Sequence, residues 1–328
     1  MKNIQADIKS GNFKQVYLLY GEEAYLKQQY KQNLVKALNP DGDTMNFNHY
    51  EGKGIDVKQL IDLCETMPFF AERRVVLLED TGFFKNKCEE LADYMKELPD
   101  YLYLVFAETE VDKRNRMYKA VKACGSIAEF IRQDEKNLMR WAAGILGKAG
   151  KKITQRDMEL LLTKTGTDMG NLRMEMEKLI SYTEGRDVVT AEDIEEICTT
   201  QTTNRIFDMV RAVTEKNQKR ALELYYDLLT LKEPPMRILF LLAKQYRQLL
   251  LAKQFAAAGL AQTEIASKLG VPGFVVRNIT TCARAYTISE LEQAVKDFVD
   301  AEESVKTGRL EDKLSVELLI IKYSSKVK

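Results

Sequence analysis

Val16-Tyr-Leu-Leu-Tyr-Gly-Glu-Glu-Ala-Tyr-Leu26 passes from an apolar run through a glycine into a helix-compatible pattern. In a nucleotide-binding domain, a strand, glycine turn and helix start in this order carry the phosphate loop. Such a loop needs a glycine-rich run of free N–H groups, a Lys for the β/γ-phosphates and a Ser/Thr for Mg²⁺. Here Gly21 is followed by Glu22 and Glu23, whose carboxylates repel a triphosphate, and no G-K-[ST] occurs anywhere in the chain. Gly21, Glu22 and Glu23 therefore mark a degenerate, non-functional nucleotide-loop position, and no cofactor is expected.

Outward from this stretch, strand-like and helix-like runs alternate. Val16–Tyr20, Met45–Tyr50, Arg74–Leu78, Tyr101–Phe106 and Ser126–Ile131 read as strands; Ala24–Leu38, Val57–Thr66, Leu91–Leu98 and Asn115–Ala123 read as helices between them. Apolar strands with such connections predict a parallel sheet covered on both faces, an α/β domain over residues 1–133. After Arg132 the strand signals stop. Leu138–Leu146, Gln155–Lys164, Asn171–Tyr182 and Ala191–Cys198 predict a small helical domain over 134–203. Longer helices over Arg220–Thr230, Pro234–Ala257, Glu264–Leu269, Val275–Ala285, Ser289–Val305 and Asp312–Lys322 predict an all-helical domain over 204–328. Pro234-Pro235 suits a helix start, where a missing N–H costs nothing.

The chain has 328 residues, 45% of them hydrophobic, enough for a substantial core and two or three domains. No run approaches the roughly 18 apolar residues of a membrane span, and MKNIQADIKS has no signal-peptide core, so a cytoplasmic protein without membrane contact is expected. Five cysteines with no C-x-x-C and a single His49 make a Cys/His metal site improbable. The net charge is zero, but residues 204–328 hold 20 Lys/Arg against 15 Asp/Glu, an asymmetry that permits nucleic-acid contact without demanding it.

Four segments carry possible chemistry. Met67-Pro-Phe-Phe70 follows a helical pattern that Pro68 ends, so Phe69 and Phe70 either project as anchors for a partner pocket or lead into the core. Val75-Val-Leu-Leu-Glu-Asp80 ends a strand in two acids, as a Mg²⁺-binding strand does, but without a phosphate loop a solvated strand end is the simpler reading. Leu260–Ile279 has a helix-turn-helix outline, although Phe274-Val-Val-Arg-Asn278 offers few polar groups to base edges. Lys306 and Arg309 flank Gly308 in a basic turn and read as solvated charges or as DNA-facing ones.

Taken in order and spacing over nearly the whole chain, five segments resemble the delta subunits of bacterial DNA polymerase III. They are Val16-Tyr-Leu-Leu-Tyr-Gly-Glu-Glu, Glu65-Thr-Met-Pro-Phe-Phe-Ala-Glu-Arg-Arg-Val-Val, Asp112-Lys-Arg-Asn-Arg-Met-Tyr-Lys, Asn171-Leu-Arg-Met-Glu-Met-Glu-Lys-Leu and Val305-Lys-Thr-Gly-Arg. The resemblance implies an AAA+-like domain without ATPase activity, then a helical lid and a helical collar. It implies a clamp-loader subunit that opens the sliding clamp (beta subunit), with Met67, Pro68, Phe69 and Phe70 as a hydrophobic wedge. The implied partners are the clamp, the delta-prime and ATPase (gamma/tau) subunits and primer-template DNA within the complex, which Lys306 and Arg309 would face. The Ser-Arg-Cys motif of an arginine finger is absent, Ala123-Cys-Gly-Ser-Ile127 standing before the fifth strand. No intrinsic catalysis is therefore expected, DNA polymerase (nucleotidyltransferase) activity belonging to the complex. An active P-loop ATPase and a DNA-binding regulator built on 260–279 are the alternatives.

Overall fold

A computed structural model describes residues 2–199 and 202–325, with side chains for all of these except Lys2, Thr202, Thr203, Asn204 and Phe274. Contacts divide the chain into two compact parts, Met1–Gln133 and Asp134–Lys328.

The first part runs α1 (Lys2–Ser10), β1 (Val16–Tyr20), α2 (Ala24–Leu38), β2 (Phe47–Glu51), α3 (Val57–Glu65), β3 (Arg74–Glu79), α4 (Glu89–Tyr94), β4 (Leu102–Glu108), α5 (Arg116–Cys124) and β5 (Ser126–Glu129). The strands form one parallel sheet in the order β2-β3-β4-β1-β5. Successive side chains of a strand point to opposite faces, and here both faces are covered. Val16, Leu18, Val76, Leu78, Leu104 and Phe106 meet Leu60 of α3, Leu91 of α4 and Met117 and Val121 of α5. Tyr17, Leu19, Val75, Leu77 and Val105 meet Ile4 of α1 and Leu34 and Leu38 of α2. Each fully buried Leu or Val contributes roughly 1.5–3 kcal/mol, and this two-sided burial makes the inner strands continuous apolar runs in the sequence. The expected parallel-sheet α/β domain is present, with α1 as an additional helix before the first strand.

The second part begins α6 (Glu135–Lys148), β6 (Lys152–Ile153), α7 (Gln155–Thr165), α8 (Met169–Tyr182), β7 (Val188–Val189) and α9 (Ala191–Ile197). β6 and β7 pair in parallel, correcting the expectation that strands end at residue 132; two-residue strands are too short to show a period. Helix starts are fixed by side-chain caps at Asp134, Thr154, Asp168 and Thr190, each contributing typically about 1 kcal/mol. There follow α10 (Thr202–Thr214), α11 (Gln218–Thr230), α12 (Pro235–Ala257), α13 (Gln262–Leu269), α14 (Gly273–Ala283), α15 (Ile288–Lys306) and α16 (Asp312–Ser324). These pack around Leu242, Tyr246 and Leu249 of α12. The boundary expected at 203/204 lies inside this compact part: α7 touches α10 and α14, and Arg277 reaches Glu159 at 3.5 Å.

Candidate functional site

α3 ends at Glu65, and Thr66 caps it in extended geometry, its N–H donating to Leu63 O and its hydroxyl to Asp62 O. The chain then crosses to β3 through Met67–Arg73. In a parallel sheet this helix-to-strand crossing lies at the strands' N-terminal ends, whereas Gly21–Glu23 lies at their C-terminal ends. Met67 is 75% exposed, Phe69 57% and Phe70 95%, and Pro68 is half-buried, so the expected alternative of two core phenylalanines does not hold. The two rings meet edge to face, centroids 4.5 Å apart. Phe70 has φ +52°, a left-handed backbone that costs a bulky residue of order 1–3 kcal/mol and persists only where its surroundings impose it.

Three side chains brace the segment around it. Asn46, 3% exposed, accepts from Phe69 N–H (2.6 Å) and donates Nδ2 to Phe69 O (2.8 Å) and to Asp43 Oδ2 (2.6 Å). Arg74, buried at the start of β3, donates to Thr66 O (2.8 Å), Met67 O (3.2 Å) and Asn48 Oδ1 (3.2 Å). Arg73 lies over the rings of Phe13 and Tyr103, at 5.2 and 5.4 Å from their centroids. The Asn46 amide, helped by the Met45 N–H, holds the Asp43 carboxyl below its ordinary value. None of these supports was singled out in the sequence. Asn46 and Phe69 stand far apart in the chain, and a lone Asn carries no pattern.

At the other end of the sheet, the nucleotide-loop position is closed. Gly21 has φ +125°, and a Cβ there would lie 2.3 Å from the Phe130 carbonyl oxygen, which also accepts the Glu23 N–H at 3.0 Å. Glu22 pairs with Arg132 on the surface. The two acids at the end of β3 are also taken: Glu79 accepts from Lys31 (2.6 Å) and lies 2.9 Å from His49 Nε2, and Asp80 accepts from the N–H and hydroxyl of Thr109. Beside them Glu108, buried, accepts from Thr81 N–H (3.1 Å) and Oγ1 (2.6 Å). Burial raises its carboxyl above the ordinary value against these bonds. These groups hold one another. Among the described residues no cluster of His, Cys, Asp and Glu could hold a metal ion, and no helix is long and apolar enough to cross a membrane.

The helix-turn-helix outline is real as geometry, with α13, a left-handed Gly270 and α14 in sequence. Val276 and Ile279 of α14 are buried and Arg277 is engaged by Glu159 of α7, so the would-be reading helix packs against its own chain; the Phe274 side chain lies outside the described residues. Lys306 pairs with Glu302, and Arg309 with Glu303 (2.9 Å), around Gly308 at φ +72°. These cations belong to the second compact part and the Met67–Phe70 tip to the first.

Two family models match the chain: DNA polymerase III, delta subunit, at residues 17–130, and DNA polymerase III delta subunit, C-terminal domain, at 203–323. The chain is 26% identical to DNA polymerase III subunit delta of Bacillus subtilis (strain 168) over 332 residues, covering 97% of this chain and 95% of that one. It is 22% identical to a probable DNA polymerase III subunit delta of Aquifex aeolicus (strain VF5) over 270 residues, covering 78% and 75%. Among solved structures, the fold is similar to that of the Bacillus subtilis DNA clamp loader delta protein, with a TM-score of 0.68 at 24% identity over 99% of both chains.

Proposed function

Because the chain belongs to the family of DNA polymerase III delta subunits, we propose that it is a clamp-loader subunit that binds the ring-shaped sliding clamp through Met67–Phe70 and opens it for loading onto primer-template DNA. The observation that carries this reading is the tip itself: two aromatic side chains held in water, in a strained conformation, by a buried network. A soluble fold keeps such a feature at a cost, and paired aromatics are the side chains that anchor interfaces.

In this reading residues 1–133 grip the clamp, 134–203 form a small helical lid, and 204–328 form a collar that joins the delta-prime and gamma/tau subunits. Exposed apolar side chains on the long helices support the last assignment. Leu314, Leu318 and Ile321 recur along one side of α16 while Val316, Leu319 and Ile320 are buried, and Phe240 and Val299 are exposed on α12 and α15. In this reading the subunit hydrolyses no ATP, since Gly21-Glu22-Glu23 carries neither the Lys nor the Ser/Thr of a phosphate loop; nucleotidyl transfer belongs to the polymerase complex, in the cytoplasm. Lys306 and Arg309 remain the DNA-facing pair, because exposed ion pairs contribute about 0–1 kcal/mol and can be exchanged for phosphate.

The test is retention of the full chain on an immobilised bacterial sliding clamp without nucleotide. Saturable binding is expected. Binding that appears only with ATP and Mg²⁺, or no binding, contradicts the proposal.

A further inference from the structure

We propose that Asn46, oriented by Asp43, is a positioning residue that presets the Met67–Phe70 tip in its partner-binding shape, an inference that rests on the clamp-binding reading of that tip. Asn46 is almost fully buried, yet both ends of its amide are committed to the backbone of a residue whose ring is out in water. Accepting from Phe69 N–H and donating to Phe69 O, the primary amide does what a neighbouring strand does in a hydrogen-bonded pair, and it fixes the Phe69 peptide groups on both sides. The second Nδ2 hydrogen goes to Asp43 Oδ2 at 2.6 Å, which decides which end of the amide is nitrogen. Asp43 is itself tied by the Met45 N–H and by Asn39, and Asn46 O accepts Val75 N–H at 2.9 Å, so the clasp stands on the β2–β3 edge of the sheet.

The consequence falls on Phe70. With Phe69 held at both its N–H and C=O, the following residue is forced to turn, and an aromatic residue at φ +52° does not choose that turn by itself. Core packing does not require the clasp, since both rings are exposed and pack edge to face on each other. The arrangement matches a binding element stored ready-made, for which the fraction of molecules in the competent shape multiplies the apparent affinity.

The experiment uses the full chain and an immobilised bacterial sliding clamp, with Asn46→Ala, the isosteric Asn46→Asp, and Phe70→Ala as reference. Loss of about one net hydrogen bond of bias should slow association by roughly two- to tenfold. Dissociation should change by less than about threefold, because the tip, once seated, makes the same contacts. Hydrogen exchange at the Phe69 amide should accelerate in both Asn46 variants, whereas a merely structural role would lower thermal stability and leave the association rate alone. Wild-type association in both Asn46 variants, with Phe70→Ala failing to bind, overturns the inference, as does faster dissociation at an unchanged association rate. Failure of the clamp reading shows separately, as a Phe70→Ala chain that binds like wild type. Phe69 exchange then still reads the positioning role, and unchanged exchange in Asn46→Ala refutes it.

Discussion

Replacing Phe70 separates what the tip does for a partner from what it does for the fold. At 95% exposure its ring contributes almost nothing to the core, so burying it in a partner pocket would recover nearly the whole transfer energy of a Phe, roughly 1.5–3 kcal/mol. Phe69, at 57%, has about half of its surface still to bury, which brings the pair to roughly 2–4.5 kcal/mol, or about 30- to 2000-fold in clamp affinity. Phe69→Ala with Phe70→Ala should show that loss in a biosensor titration, while urea unfolding moves by no more than about 1.5 kcal/mol, the share of Phe69 already buried in the free protein. Phe70→Gly adds a sign that no contact argument predicts: glycine accepts φ +52° without strain, so this variant should bind as weakly as the alanine and unfold later. Unchanged affinity in the double variant refutes the anchor, and collapse of the fold would return the two rings to the core.

Isothermal titration with ATP and Mg²⁺ should show no binding at millimolar nucleotide, and Gly21→Ala should cost at least about 1–3 kcal/mol in urea unfolding, because its Cβ would meet the Phe130 carbonyl oxygen at 2.3 Å; turnover or a neutral substitution would contradict this. Glu108 has a folded-state pKa raised by burial, so the native state keeps its proton longer than the unfolded chain, whose value is about 4.3. Its contribution should therefore fall as pH rises from about 4 through the folded value and then level off, and Glu108→Gln should remove that decline from the stability curve; an unaltered curve would count against it. Leu318→Glu, on the exposed side of α16, should block co-assembly with the delta-prime and gamma/tau subunits and leave clamp binding intact, as judged by size exclusion and by the clamp biosensor.

The inner strands were legible because burial on two faces writes itself as unbroken apolar runs: Val16–Tyr20 matches its reading, and Leu102–Glu108 lies within two residues of the expected Tyr101–Phe106. A helix start marked by its own chemistry was legible too, as at Pro235. α1 passed unread because nine residues offer only Ile4 and Ile8, one turn apart, as large apolar side chains, too few to establish a period from sequence. At the candidate site, the aromatic pair and the proline were visible. Their exposure was not, since burial depends on the whole fold, and neither was the clasp, which joins Asn46, Phe69 and Arg74 across the chain through hydrogen bonds that no local spacing encodes.

The tip continues into β3, and β3 is an interior strand. Its residues pair with β2 from Phe47↔Val75 to Glu51↔Glu79 and with β4 from Arg74↔Leu102 to Glu79↔Ala107. A mechanical load on Phe70 directed away from the sheet therefore pulls nearly along the axis of β3, and the hydrogen bonds of both ladders run across that axis. They are strained in shear and in parallel, so none can yield until many do, and the tip behaves as the end of a stiff rod seated in the body of the domain. The same force applied through β2, at the free edge, would peel a single ladder one bond at a time.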